Sequence, residues 1–259
     1  MIYEANLNTK MKLFPMFENM DSTIILSCLQ DHMGTAWVDD LENPTVAQIA
    51  VGIFVYYAGN PNAKEAEELL YNLPEHILVI VETEEWKKRI ETVHKGSIEK
   101  FPRYKFNQNP EDLDRTHLQT FLKKLPEGYD LKKIDAVLAE EPSLHEVSED
   151  FTGQFDSIVD YVNRGIGYGI LHDGKVVCGA SSYSIYDGGI EIEVATHPEH
   201  RRKGLAGIAA SALILECLDS GIYPSWDAAN LESANLAQKL GYILDEPYDT
   251  FYVNYNRMK

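Results

Sequence analysis

Six consecutive residues, Arg201-Arg202-Lys203-Gly204-Leu205-Ala206, have the types and order that hold a phosphate. They stand between a strand-like run and a long apolar helix-like run. The first turn of a helix leaves N–H groups without partners, and the helix dipole makes that end positive. Gly204 removes the Cβ that would keep a bulky diphosphate off the backbone, and Ala206 keeps the approach narrow. Arg201, Arg202 and Lys203 concentrate positive charge. The alternative is a basic loop that only caps a helix, and an isolated R-x-x-G-x-A reads that way first.

A second cluster, Asn230-Leu231-Glu232-Ser233 followed by Lys239-Leu240-Gly241-Tyr242, starts just after the run containing Trp226. Asn230 is suited to cap a helix, and also to hydrogen-bond an amide-rich ligand such as pantetheine. Gly241 reads as a C-cap with Tyr242 packed beneath it, and Trp226 as core rather than pocket wall. In Ile190-Glu191-Ile192-Glu193-Val194 the strand period puts Glu191 and Glu193 on one face. They are candidates for a general base, against the alternative of a wet polar face. His197 and His200 are spaced like a ligand pair but read as surface loop residues. The other six histidines are scattered, so no metal constellation is expected.

The elements that must position these residues follow from periodicity and turn chemistry. Ile166–His172, Lys175–Tyr186 and Ile190–Thr196 are strand-like, joined at Asp173-Gly174 and at Asp187-Gly188-Gly189, which predicts an antiparallel meander. Leu205–Asp219 is apolar nearly all round, hence a buried helix ended by Gly221. Ile222–Asp227 reads as a short strand, Glu232–Leu240 as a helix and Ile243–Asn254 as strand. Before the meander, Leu131–Glu141 reads as a charged helix and Phe155–Asn163 as another. In the first half, Val46–Tyr57 and Ile77–Val81 read as strands, Ala63–Leu73 and Glu84–His94 as helices. That order echoes the later half, although the loop Ala58-Gly59-Asn60-Pro61-Asn62 lacks the basic, glycine-spaced pattern. A degenerate duplicate and an unrelated α/β cap both stay open. The domain boundary is expected near Leu125, giving 1–125 and 126–259.

The 259 residues, 44% hydrophobic, suffice for two modest domains. Formal net charge is -18, from 23 basic and 41 acidic residues, which disfavours nucleic acid and anionic membranes as partners. It either confers solubility only or attracts a cationic substrate. No apolar run is long enough to span a bilayer, and the N-terminus shows no secretory signal. Three widely spaced cysteines, Cys28, Cys178 and Cys217, fit buried thiols in a reducing, cytoplasmic setting.

Together, Thr196-His197-Pro198-Glu199-His200-Arg201-Arg202-Lys203-Gly204-Leu205-Ala206 and Asn230 through Tyr242 resemble the two motifs of the GNAT superfamily of acyl-CoA N-acyltransferases. Pro224-Ser225-Trp226-Asp227-Ala228-Ala229-Asn230, with Ser233 and Lys239-Leu240-Gly241-Tyr242, is similar more narrowly to the subgroup that includes the zwittermicin A self-resistance acetyltransferase. The resemblance implies a GNAT fold of α/β (α+β) class, with a mixed, mostly antiparallel sheet flanked by helices. It implies acetyl-CoA as cosubstrate, no metal, and a small amine as acceptor, with a homodimer left open. Backbone groups of Val194, Ala195 and Thr196 would meet the acyl carbonyl and pantetheine. The diphosphate would lie at Arg201, Arg202, Lys203, Gly204, Leu205 and Ala206, with Asn230, Ser233 and Asn235 nearby. Many members carry a Tyr in the last helix as general acid; Ala237 stands there, and Ser233 and Asn235 are the polar neighbours. By the same counting the usual base positions fall on the isoleucine face, unless a bulge shifts the register toward Glu191 and Glu193.

The expectation is an N-acetyltransferase acting on a primary amine of a small cationic acceptor by direct transfer. The alternative from another class is a non-catalytic acyl-CoA-binding or sensor protein.

Overall fold

The structure is a computed structural model that describes residues 1–74 and 76–254. The chain forms two compact units. One is Met1–Arg103 together with the stretch from Pro247, and the other is Tyr104–Glu246. The division at 103/104 precedes the expected boundary near Leu125, because the helix Arg115–Leu122 packs on the long helix Leu205–Asp219 of the second unit.

The first unit begins β1 (Tyr3–Glu4), α1 (Leu7–Phe17), α2 (Thr23–Leu29), β2 (Thr35–Val38), β3 (Val46–Val51), β4 (Phe54–Gly59), α3 (Lys64–Tyr71), β5 (Ile77–Ile80) and α4 (Glu84–Val93). The expected single run Val46–Tyr57 is a hairpin instead, because Gly52 turns the chain at φ 54°. β3 and β4 are antiparallel, α3 crosses over, and β5 returns parallel to β4. The core gathers Val46, Val55, Tyr57, Leu69, Val79, Trp86 and Ile90. β6 (Ile98–Phe106) runs through the point where the chain enters the second unit.

The second unit continues with α5 (Arg115–Leu122), β7 (Tyr129–Lys133), α6 (Ala136–Ala139), α7 (Pro142–Val147), α8 (Ile158–Arg164), β8 (Gly167–His172), β9 (Lys175–Tyr186), β10 (Gly189–Thr196), α9 (Leu205–Asp219), β11 (Tyr223–Ser225), β12 (Asp227–Ala228), α10 (Leu231–Leu240) and β13 (Leu244–Val253), whose far end belongs to the first unit. The expected helix Leu131–Glu141 gives way to β7, which pairs Tyr129 with His172 and Lys133 with Tyr168. Only Ala136–Ala139 of that run is helical, behind an Asp135 cap. Pairing across a sheet edge overrides helix propensity there.

The meander is as predicted, with sheet order β11-β10-β9-β8-β7 and Asp173 and Gly174 both left-handed, at φ 51° and 78°. α9 is buried along nearly its whole length, covering β8, β9, β10 and β11. It ends in a Schellman motif: the Gly221 N–H reaches Leu218 O and the Ile222 N–H reaches Cys217 O, with Gly221 at φ 72°. The other sheet face is covered by the segment running through α7 to Phe151. A Cβ on Gly179 would lie 2.8 Å from the Phe151 ring, and Ser181 Oγ donates to Phe151 O at 2.6 Å. Among the described residues no helix is long and apolar enough to cross a membrane.

Candidate active site

The loop after β10 has the geometry of an anion cradle. Arg202 is left-handed at φ 63° and Gly204 at φ 79°, so the chain curls twice before α9 begins. Gly204 is the N-cap of α9 and no side chain caps the helix. A Cβ built on Gly204 would meet nothing within 4 Å, so the space above it is open. The positive φ favours glycine at this position, and the space over the helix terminus is left clear. Leu205 is buried and anchors the helix, Ala206 is half-buried, and Arg201, Arg202 and Lys203 are exposed. Arg201 Nε donates to Thr196 O at 3.2 Å, and Lys203 Nζ to Tyr129 Oη at 2.8 Å. A Cβ on Gly207, in the first turn of α9, would stand 3.2 Å from the ring of Phe121 and 3.6 Å from Leu236, which sets how closely α5 and α10 approach there.

β10 and β11 diverge beside this loop. Their parallel pairing joins Gly189–Tyr223, Ile190–Pro224 and Glu191–Ser225. Among the described residues no strand pairs with β10 on that edge beyond Glu191, while β9 follows it to Thr196 on the other. Val194, Ala195 and Thr196 are half-buried along this edge. An unpaired strand edge presents backbone donors and acceptors in the spacing an amide-bearing chain can use.

The second motif follows β12 and forms α10. Asn230 is the N-cap of α10, and its Oδ1 accepts the Ser233 N–H at 2.9 Å. Ser233 Oγ accepts Trp226 Nε1–H at 3.1 Å, and Trp226 is buried against Tyr242, as core. Asn235 is exposed, whereas Ala237 is 0% exposed and packs within the core. The Tyr242 hydroxyl donates to Pro224 O at 2.6 Å.

The two glutamates stand on a covered face rather than a wet one. Glu191 is buried; Glu193 is half-buried and accepts Ser148 Oγ–H at 3.0 Å. The register slips between Glu191 and Ile192, with Ser184 opposite the first and Ser182 opposite the second. The extra residue, Tyr183, belongs to β9, so alternation along β10 is kept and the isoleucines face the other way. Around Glu191 the same face carries Ser184 on β9, Ser225 on β11, and Tyr186, whose hydroxyl is 3.1 Å from Ser225 Oγ. Burial, with a contribution from the Glu191 charge, holds the Tyr223 and Tyr242 hydroxyls above the ordinary tyrosine value. This polar pocket in the sheet was not visible in the sequence, because Ser184, Tyr186 and Ser225 carry no motif.

Tyr129 and His172 were missed as well. They join His197 and His200 beside the cradle, so the two loop histidines are half-buried members of a cluster. Among the described residues no group of three His, Cys, Asp or Glu is placed to hold a metal ion. Cys178 lies under Thr196, whose hydroxyl donates to its sulfur, yet burial pushes the thiol up to about 12, which leaves it no nucleophile at neutral pH.

In the first unit the loop between β4 and α3 carries no basic residue from Gly59 to Ala63. A Cβ on Gly59 would stand 2.2 Å from Thr45 O, and the first turn of α3 already carries Glu65 and Glu67.

The family model for GNAT acetyltransferases matches residues 14–251. The uncharacterized N-acetyltransferase YdfB of Bacillus subtilis (strain 168) is 25% identical over 241 residues, which is 89% of this chain and 90% of that protein. A GCN5-related N-acetyltransferase-like protein from Streptococcus suis 89/1591 superposes with a TM-score of 0.88 at 37% identity, over 95% of this chain and 99% of that one. A tandem GNAT protein from the clavulanic acid biosynthesis pathway shares the fold, with a TM-score of 0.58 at 11% identity over 98% of both chains.

Proposed function

The chain belongs to the GNAT acetyltransferase family, and we propose that it moves an acetyl group from acetyl-CoA to a primary amine of a small, cationic acceptor. The observation that carries this reading is the uncapped α9 N-terminus with open space over Gly204, directly behind a strand edge that loses its partner at Glu191. The N–H groups of Arg202 through Ala206 and the basic side chains hold the diphosphate. The β10 backbone at Val194, Ala195 and Thr196 lines up the acyl-bearing arm, and the exposed amides of Asn230 and Asn235 flank it. Ser233 acts through Trp226 and the helix cap rather than on the ligand.

Direct transfer needs the amine neutral when it attacks the thioester carbon; the carbonyl is restored as the C–S bond breaks, and the thiolate takes a proton. Glu191 and Glu193 are the bases on this chain, directly or through a water, and Ser148 orients Glu193. With Ala237 in the core, the thiolate is protonated by solvent. The net charge of -18 draws a cation toward the site, in keeping with the narrower resemblance to the zwittermicin A resistance subgroup. Buried free thiols suit a cytoplasmic enzyme. The first unit repeats the hairpin–crossover topology and reads as a degenerate GNAT-like copy that binds no CoA.

An acceptor screen tests the reading. Acetyl-CoA is supplied with polyamines and aminoglycoside-like amines, and released thiol is measured against an amine-free control. Amine-dependent release is expected. CoA binding without any amine-dependent release across the panel would overturn the amine assignment.

A further inference from the structure

A separate group of rings meets behind the diphosphate cradle. Tyr129 comes from β7, His172 from the end of β8, and His197 and His200 from the turn after β10. Ring centroids are 4.6 Å apart for Tyr129 and His172, 5.1 Å for His172 and His200, and 6.0 Å for His197 and His200. Lys203 ties this group to the cradle. Its ammonium donates to Tyr129 Oη at 2.8 Å and lies 5.5 Å from the ring centre. The same hydroxyl is 2.9 Å from His200 Nδ1. The charged groups facing the cluster are Asp173, 3.3 Å from His172 Nδ1, Glu199 in the turn, and Lys203 itself.

The hydrogen bonding decides which proton state this arrangement suits. An ammonium only donates, so the Tyr129 oxygen accepts from Lys203, and its own proton points to His200 Nδ1. His200 is then neutral. Burial, then Lys203, then His172 and His197 hold it below the ordinary histidine value. An anion at the α9 N-terminus works against the Lys203 contribution. Lys203 is exposed and sits on the cradle loop, so turning it to the anion costs little. Its departure removes a positive charge from beside His200, and the anion adds negative charge nearby. A protonated Nδ1–H then donates to the Tyr129 oxygen that Lys203 has left.

We propose that this cluster couples ligand binding to proton uptake: a diphosphate ester in the cradle takes Lys203 from Tyr129, and His200 takes up a proton from solvent. The proposal rests on the reading of the cradle as the diphosphate site. It makes affinity rise as pH falls from 8 toward 6, because the histidine is neutral in the free protein and charged in the complex.

The test is calorimetry with 3′-dephospho-CoA, whose diphosphate has no group titrating in this range, in buffers of different ionisation enthalpy. At pH 6.5 the full chain should take up about 0.3 to 0.8 proton per ligand, and Kd should fall about three- to tenfold between pH 8 and pH 6. His200→Gln should abolish most of the uptake and flatten the profile. Binding with no proton exchange in the wild-type chain overturns the proposal and leaves the cradle standing. So does uptake undiminished in His200→Gln. Failure of 3′-dephospho-CoA to bind at all overturns both.

Discussion

Substituting Gly204 separates the two demands the cradle makes on it. At φ 79° any side chain pays left-handed strain of about 1 to 2 kcal/mol. No neighbour lies within 4 Å of the new Cβ, so no clash is added in the free protein. In Gly204→Glu a carboxylate at a helix N-terminus offsets about 0.3 to 1 kcal/mol of that strain. The net loss is about 1 kcal/mol, a fall in Tm of about 2 to 4 °C for a chain of this size. Ligand binding suffers far more. The carboxylate occupies the open space over the helix terminus and takes one or two charge-assisted hydrogen bonds from the diphosphate, each worth about 1.5 to 3 kcal/mol. That is at least a tenfold rise in Kd for CoA, and on the order of a hundredfold if two bonds go. Gly204→Ala carries the same strain without the carboxylate, so its Tm should fall at least as far while its affinity falls less. Calorimetry with CoA and a melting curve on both variants read the two effects. A folded Gly204→Glu protein with wild-type CoA affinity would refute the cradle.

Glu191→Gln and Glu193→Gln should lower kcat near pH 7 by about 10² to 10⁴-fold if the altered residue is the base, with the loss shrinking at high pH where free amine is abundant; unchanged pH–rate profiles in both and in the double variant would remove these glutamates from the mechanism. Ser148→Ala should shift that profile modestly, through Glu193, while CoA affinity stays put. Binding stoichiometry should be one CoA per chain, since α3 begins with Glu65 and Glu67 and the loop before it, Gly59 to Ala63, has no basic residue; two would contradict it. His94 is fully buried, and burial holds its pKa below the ordinary value of 6.5. Its neutral form is favoured by folding, so this part of stability is full above the unfolded pKa and fades as pH falls below it; Tm should drop from pH 7 to pH 5 less steeply in His94→Leu than in wild type.

Where chemistry is local, the sequence was legible. α9 could be read residue for residue, because an all-apolar helix between a basic glycine loop and Gly221 has few other solutions. The β8–β9 turn could be read from Asp173-Gly174, which need the left-handed region. Gly204 could be read as a loop glycine ahead of the helix, while its left-handed φ is visible only in the backbone. β7 was misread because Leu131-Lys132-Lys133 has helical propensity and its strand state depends on Tyr129 and Lys133 finding His172 and Tyr168. The burial of Glu191 and the Ser148–Glu193 bond were out of reach for the same reason. They depend on the segment running through α7 to Phe151 folding over β9, a tertiary contact with no local signature. The gathering of Tyr129, His172 and His200 likewise joins residues from three elements that have no pattern in common.

The measurement that bears most directly on the central claim is amide hydrogen exchange with and without saturating CoA. The account predicts slowed exchange at residues 194–196 and 202–206, where β10 loses its partner and α9 starts uncapped, and no change at residues 58–66 in the first unit. Unchanged exchange across 202–206 with CoA bound, or protection confined to 58–66, would contradict it.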